Sequence, residues 1–249
     1  MAEGKLLEEK VMSKQLNEEV DVLIYLPKDY SPLYKYPLVI VQDGKDYIRF
    51  GKVIRYADEL QQSGLMEKAI FALLPYQTVT DRRRKYHPEG EQNEAYIRFL
   101  AHEFVPYLEN RFSSFQMAGT RFLMGDSLGA SLSLKAALKY PFTFGNVILH
   151  SPLITEELLE RTENADASKL KLFHVIGSGE TEVEMTDGKR ANFLAPNLAF
   201  HKLTVQKGFE QQFYQFDGDH RWKYWQPFVK EALLYMMPAN SFDLESMSV

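Results

Sequence analysis

The sequence predicts an α/β fold, with one mostly parallel central sheet carrying helices on both faces. Three observations predict it. Short apolar runs recur along the chain, as at the β-branched residues 36–42 and at 69–75. Stretches with helical apolar spacing lie between them, as at residues 93–111. The two patterns alternate without an internal repeat or a low-complexity tract, which is the signature of strand–helix–strand crossovers. At 249 residues without a linker-like segment, the chain is expected to form one domain, 1–249, with a polar tail from about Pro238.

Element by element, residues 8–14 and 20–26 read as two strands around a short Asn17-Glu18 connection, an antiparallel start. Pro27 and residues 29–32 make a turn. Residues 36–42 (Tyr-Pro-Leu-Val-Ile-Val-Gln) form a buried strand, continuous rather than alternating in its apolar character. A helix over about 46–62 follows, with Ile48, Val53, Ala57 and Leu60 at near-helical spacing. Residues 69–75 are the next buried strand, followed by a polar loop. The helix over 93–111 gathers Tyr96, Phe99, Leu100, Phe104 and Leu108 on one face. An apolar run at 121–124 leads into an amphipathic stretch from Leu128 to Tyr140. Beyond it come strand 146–150, helix 155–161, strand 170–176, helix 192–206, strand 212–216 and helix 224–236.

Composition narrows the function. The chain is 45% hydrophobic with a net charge of -5, so it carries no electrostatic footprint for nucleic acid. It has no cysteine, which excludes disulfides, a thiol nucleophile and thiolate metal sites, and fits a reducing compartment. The start, Met1-Ala2-Glu3-Gly4-Lys5, lacks the apolar core of a secretory signal. No apolar run approaches the roughly 18 residues of a membrane span. A cytoplasmic protein without membrane or nucleic-acid partners is expected.

The most informative segment is Gly125-Asp126-Ser127-Leu128-Gly129, between an apolar strand and a helix. Here a serine sits on a sharp strand-to-helix turn and its hydroxyl stands above the C-terminal edge of the sheet. Side chains in place of the flanking glycines would strike the neighbouring strand and helix. The alternative, an ordinary turn whose serine caps a helix, gives the glycines no such reason. The Leu128 amide, at the helix start, can face a developing oxyanion. Asp126 is read as structural, because its side chain points away from the serine's site.

A serine hydroxyl needs a base. Of six histidines, His220 is the best placed, in the loop Asp217-Gly218-Asp219-His220-Arg221-Trp222 after the last strand. His150 and His174 fall in or beside core strands; His87, His102 and His201 fall on loops or helix surfaces. His102-Glu103 is no zinc motif, since Pro106 stands four positions on. The orienting acid should follow the strand ending at Ile176-Gly177. Glu180 is nearest that end, Asp187 is the runner-up and Glu182 third. The second oxyanion amide is assigned to Lys45, after Gly44 in the loop Gln42-Asp43-Gly44-Lys45-Asp46. Tyr76, Tyr86, Trp222 and Trp225 are candidates for an aromatic mouth, each with a competing role in the core. Arg82, with Arg83 and Arg84, could receive an anionic substrate or make a local ion pair.

These pieces together resemble the esterase family of α/β-hydrolases that includes esterase D, the enterochelin (siderophore) esterases and the mycolyltransferases. The strand ending in Asp43-Gly44 is similar to the family's, as are Arg82 to Tyr86 followed by His87-Pro88. So are Glu103-Phe104-Val105-Pro106, the elbow, Pro141-Phe142-Thr143-Phe144, and Gly218-Asp219-His220-Arg221-Trp222 with Trp225. Two departures stand out: Ala130 replaces a second glycine, and Lys85 replaces the Glu of Arg-x-x-Glu-Tyr. The resemblance implies an α/β-hydrolase fold without a large cap. It implies a triad of Ser127, His220 and an acid near Glu180, with oxyanion amides at Lys45 and Leu128. It also implies a small-molecule ester substrate, short-acyl or siderophore-type, and no cofactor or metal. The alternatives are an acyltransferase on the same machinery and a non-catalytic binding module on the same scaffold.

Overall fold

A computed structural model describes residues 4–186 and 188–242. Its strands are β1 (Lys5–Ser13), β2 (Glu18–Leu26), β3 (Leu38–Gln42), β4 (Ile70–Leu74), β5 (Arg121–Asp126), β6 (Asn146–His150), β7 (Lys171–Gly177), β8 (Val183–Glu184), β9 (Arg190–Ala191) and β10 (Glu210–Phe216). Its α-helices are α1 (Gly44–Arg49), α2 (Val53–Gln62), α3 (Val79–Tyr86), α4 (Asn93–Phe99), α5 (Val105–Arg111), α6 (Leu128–Lys139), α7 (Glu156–Glu163), α8 (Leu194–Lys207) and α9 (Trp222–Met236).

One eight-stranded sheet runs in the order β1-β2-β4-β3-β5-β6-β7-β10. β2 pairs antiparallel with β1 and β4, and the pairs from β4 through β10 are parallel. Every residue of β3, β4, β5 and β6 is buried, because helices cover both faces of the sheet. On one face Ile40 and Leu123 meet Tyr96, Phe99, Phe104 and Leu132. On the other, Val39, Met124 and Phe173 meet Tyr47, Leu60, Trp225 and Leu233. Burying each of these large side chains contributes roughly 1.5–3 kcal/mol. From β3 the chain crosses to β4 on one side, then returns to β5 on the other. The crevice at the C-terminal ends of β3 and β5 is therefore the sheet's topological switch point, where ligands of open α/β sheets bind.

Three segments differ from the sequence expectation. The helix expected over 46–62 is two helices, α1 and α2, broken at residues 50–52, with Lys52 in the left-handed region (φ 57°). A Cβ on Gly51 would lie 2.8 Å from the Trp222 ring, so the break makes room for α9. The polar loop after β4 contains α3, N-capped by the Thr78 hydroxyl, which accepts from the Asp81 amide at 3.0 Å. α3 lacks an apolar stripe and is held by ion pairs instead. Lys85 is buried against Glu18 and Asp81, so the lysine at the position where the resemblance implies glutamate has acidic partners of its own. The helix over 93–111 passes through a π-helical turn at 100–104 just before Pro106, which has no N–H to continue the α ladder. Glu103 in that turn accepts from Ser13 Oγ at 2.6 Å and from the Lys14 amide at 3.1 Å, pinning the β1–β2 turn.

Two histidines sit inside the sheet. His150 Nδ1 lies 2.9 Å from the Tyr47 hydroxyl, and His174 Nε2 lies 2.7 Å from Asn197 Oδ1. Burial lowers both pKa values, to about 3 for His150 and about 4 for His174, against an ordinary value of 6.5. The folded chain thus holds them neutral while the unfolded chain protonates them. The unfolded state binds more protons between about pH 4 and 6.5, so stability rises with pH through that window. Each histidine supplies roughly 1.4 kcal/mol per pH unit there. The urea midpoint should fall from pH 7 to pH 5, and His174→Gln should flatten the fall. An unchanged slope in that variant would remove His174 as a cause.

Candidate active site

Ser127 stands at the end of β5 with φ 52° and ψ -122°, a region that L-residues occupy only under constraint. The constraint is visible. The Ser127 amide donates to the His150 carbonyl at 2.9 Å, and the Ser127 carbonyl accepts from the Ala130 and Ser131 amides at 3.1 Å each. A Cβ on Gly125 would collide with the backbone of Gly129, so the elbow closes only with glycine there.

His220 lies in the turn between β10 and α9. Its Nε2 is 2.9 Å from Ser127 Oγ, and its Nδ1 is 2.6 Å from Glu180 Oε2. The ring is flanked by Phe193, at 4.6 Å between centroids, and by Trp225, edge-on at 4.7 Å. Its side chain keeps 17% of its surface exposed, enough to meet a small molecule. Glu180 is wholly buried. Its other oxygen, Oε1, accepts from the Gly177 amide at 2.8 Å and from Ser151 Oγ at 2.6 Å. Ser151 Oγ in turn accepts from Trp225 Nε1 at 2.9 Å. Both carboxylate oxygens therefore have donors, which offsets the cost of burying the charge. The Glu180 carbonyl also takes the amides of Phe193 and Leu194, at 2.9 and 3.0 Å, fixing its backbone to the start of α8.

Of the competing carboxylates, Glu182 is 73% exposed and pairs with Arg190 at 3.0 Å, away from His220. Asp187, the runner-up acid, lies outside the described residues. The β8–β9 hairpin, which begins just after Glu182 and carries its partner Arg190, was not legible as structure in this polar loop.

The Leu128 amide opens α6, and the Lys45 amide is the second of α1. Neither position has an i−4 carbonyl inside its helix, so both amides are available to an outside acceptor. The two helix starts abut. A Cβ on Gly129 would lie 2.8 Å from Asp43 Oδ2, and one on Gly44 would lie 2.7 Å from Leu73 Cβ.

The candidate substrate residues divide. Trp222 is partly exposed and packs edge-on to Tyr47 at 4.8 Å, with Phe50 at 6.3 Å. Tyr76 is partly exposed, and its hydroxyl donates to Asp46 Oδ2 at 3.1 Å. Burial and the Asp46 charge push its pKa up to about 12, so it remains a hydrogen donor. Tyr86 does not reach a mouth: at 2% exposure it lies in the core against Tyr96. Arg82 is not open to an anion either. Its guanidinium grips Asp43 through two hydrogen bonds, Nε to Oδ1 at 2.7 Å and Nη2 to Oδ2 at 2.6 Å. Arg84 pairs with Glu91 and Gln92. Among the described residues no cluster of His, Asp and Glu could hold a metal ion, and no helix is long and apolar enough to cross a membrane.

Sequence reasoning missed three contributors: Ser151, Phe193 and Asp43. Ser151 follows a strand without any motif; only its position after β6, in the left-handed region (φ 48°), sets it apart. Phe193 looks like one more apolar residue before a helix. Asp43 is visible in sequence as the Asp-Gly pair after a buried strand, but nothing there shows that Arg82 grips it.

Comparison with known proteins bears on the family and the fold. The family model described as "Putative esterase" matches residues 13–236. The Bacillus subtilis (strain 168) protein YjcH, described as uncharacterized, is 45% identical over 94% of this chain and 98% of its own length. A solved ferulic acid esterase superposes with a TM-score of 0.76 at 19% identity, covering 94% of this chain and 98% of that one. The ferric enterobactin esterase of Salmonella typhimurium superposes with a TM-score of 0.79 at 20% identity, covering 93% of this chain and 58% of that one. At such identities the structural matches speak for the fold.

Proposed function

The chain belongs to the esterase family whose model spans residues 13–236, and from that membership, which supports ester hydrolysis, we propose a serine carboxylic-ester hydrolase that works through an acyl-enzyme. The observation that carries the reading is the unbroken hydrogen-bonded line from Ser127 Oγ through His220 to the buried Glu180.

His220 Nε2 removes the Ser127 proton as Oγ attacks the ester carbonyl. Glu180 holds the imidazole in the tautomer that leaves Nε2 free, and stabilises the imidazolium that forms. The amides of Lys45 and Leu128 receive the oxyanion, each such donor being worth about 10²–10³ in rate. The tetrahedral adduct collapses, the C–O bond to the alcohol breaks, and His220 returns the proton to the leaving oxygen. Water then gives a proton to His220 as its oxygen attacks the acyl carbon; the second adduct collapses, the bond to Ser127 Oγ breaks, Oγ takes the proton back from His220, and the acid leaves. The substrate is a small ester, short-acyl or siderophore-type, reaching the site beside Trp222.

The test is turnover of p-nitrophenyl acetate and butyrate, together with a fluorophosphonate probe. The expected result is hydrolysis, with the probe's mass on the peptide that contains Ser127. An inert protein whose Ser127 stays unlabelled would overturn the reading in favour of a binding module on the same scaffold.

A further inference from the structure

We propose that Arg82 is a positioning residue for the oxyanion hole, one guanidinium clasping the turn that presents the Lys45 amide to the turn that presents the Leu128 amide. The proposal rests on the serine-esterase reading above.

Asp43 is the first half of the argument. It is an aspartate in the left-handed region (φ 54°, ψ 40°), immediately before α1, and its side chain makes no cap to its own helix. Aspartate enters this region more readily than most residues when its carboxylate bonds locally, and here it makes no such cap. Both carboxylate oxygens are instead taken by Arg82, with the Asp43 side chain only 1% exposed. The direction of the Gly44 and Lys45 amides follows from the dihedrals at residues 43 and 44. Fixing the Asp43 carboxylate therefore fixes where those amides point.

The elbow is the second half. Arg82 Nη2 also donates to the Asp126 carbonyl at 3.3 Å. That carbonyl belongs to the peptide leading into Ser127. The seat is cut to shape as well, since Asp43 Oδ2 occupies the space that a Cβ on Gly129 would fill. The last glycine of the elbow thus admits the clasp as well as easing the turn. Arg82 itself is confined, with the rings of Tyr76 and Tyr86 at 5.8 and 5.5 Å and 13% of its side chain exposed. Its charge is matched by Asp43. The Asp126 carboxylate lies further off, at 3.9 Å from Arg82 Nη2, and burial, then the Asp43 charge, push its pKa well up.

The experiment compares p-nitrophenyl acetate with its thionoester, whose carbonyl sulfur is a weak hydrogen-bond acceptor, in wild type, Arg82→Lys and Arg82→Gln. The expected result for Arg82→Gln is a kcat on the oxoester lower by about 10–100-fold with KM nearly unchanged, as for amides tilted out of line. The thionoester should lose far less, so the oxo-to-thiono rate ratio shrinks. Arg82→Lys keeps the charge with a single-point grip and should fall between; it carries the test if Arg82→Gln does not fold. Equal losses on both esters would mean a general structural role, and a rise in KM alone would mean substrate binding. Either overturns the proposal. If wild type itself turns over neither ester, the serine-esterase reading has failed, whatever the variants do.

Discussion

Ser127→Ala is expected to lower kcat for p-nitrophenyl acetate by at least about 10⁴-fold while leaving the melting temperature within a few degrees of wild type. Removing the nucleophile removes the covalent step, and what remains is catalysis by the oxyanion amides and binding alone. Fold stability should survive. The Ser127 backbone makes the turn's hydrogen bonds, and among the described residues its hydroxyl is engaged only by His220. Alanine retains the unusual backbone dihedrals at a cost similar to that of serine. Steady-state kinetics beside a thermal melt reads both quantities. A variant that keeps a tenth of wild-type activity would show that another group attacks the ester.

Glu180→Gln should cost nearly as much, about 10³–10⁴-fold in kcat, through proton placement rather than charge alone. Oε1 of Glu180 accepts from the Gly177 amide and from Ser151, so only an oxygen fits at that position. The glutamine must then turn its NH₂ toward His220 Nδ1. Two donors cannot face each other, and the imidazole moves its proton to Nε2, the atom that has to receive one from Ser127. The low-field proton resonance of a carboxylate-bound Nδ1–H should vanish with the activity. Activity within tenfold of wild type, with that resonance retained, would show that another carboxylate orients the ring.

The core strands were legible because burial on both faces demands continuous apolar runs, which residues 38–41 and 70–74 supply locally. The elbow was legible for the same kind of reason: Gly125 is required by its contact with the Gly129 backbone within the turn itself. The break between α1 and α2 was not, because the side chain that needs the space at Gly51 is Trp222, far along the chain. α3 escaped because its stabilisation comes from charges of other elements, Asp43 and Glu18, rather than from an apolar face of its own.

The candidate site divides along the same line. Serine before acid before histidine, each just past a strand, could be read from the chain, since a parallel sheet brings all strand ends to one edge. Which carboxylate lies beside His220 could not, because Glu180 and Glu182 are two residues apart in one acidic loop. Tertiary structure separates them, sending Glu180 under the Gly177 amide into full burial and Glu182 out to Arg190. Arg82 is the same case. Sequence left it between an anion site and an ion pair, and the fold commits it to Asp43. Local contacts write themselves into local sequence; partners from distant strands and helices exist only once the sheet has set its order.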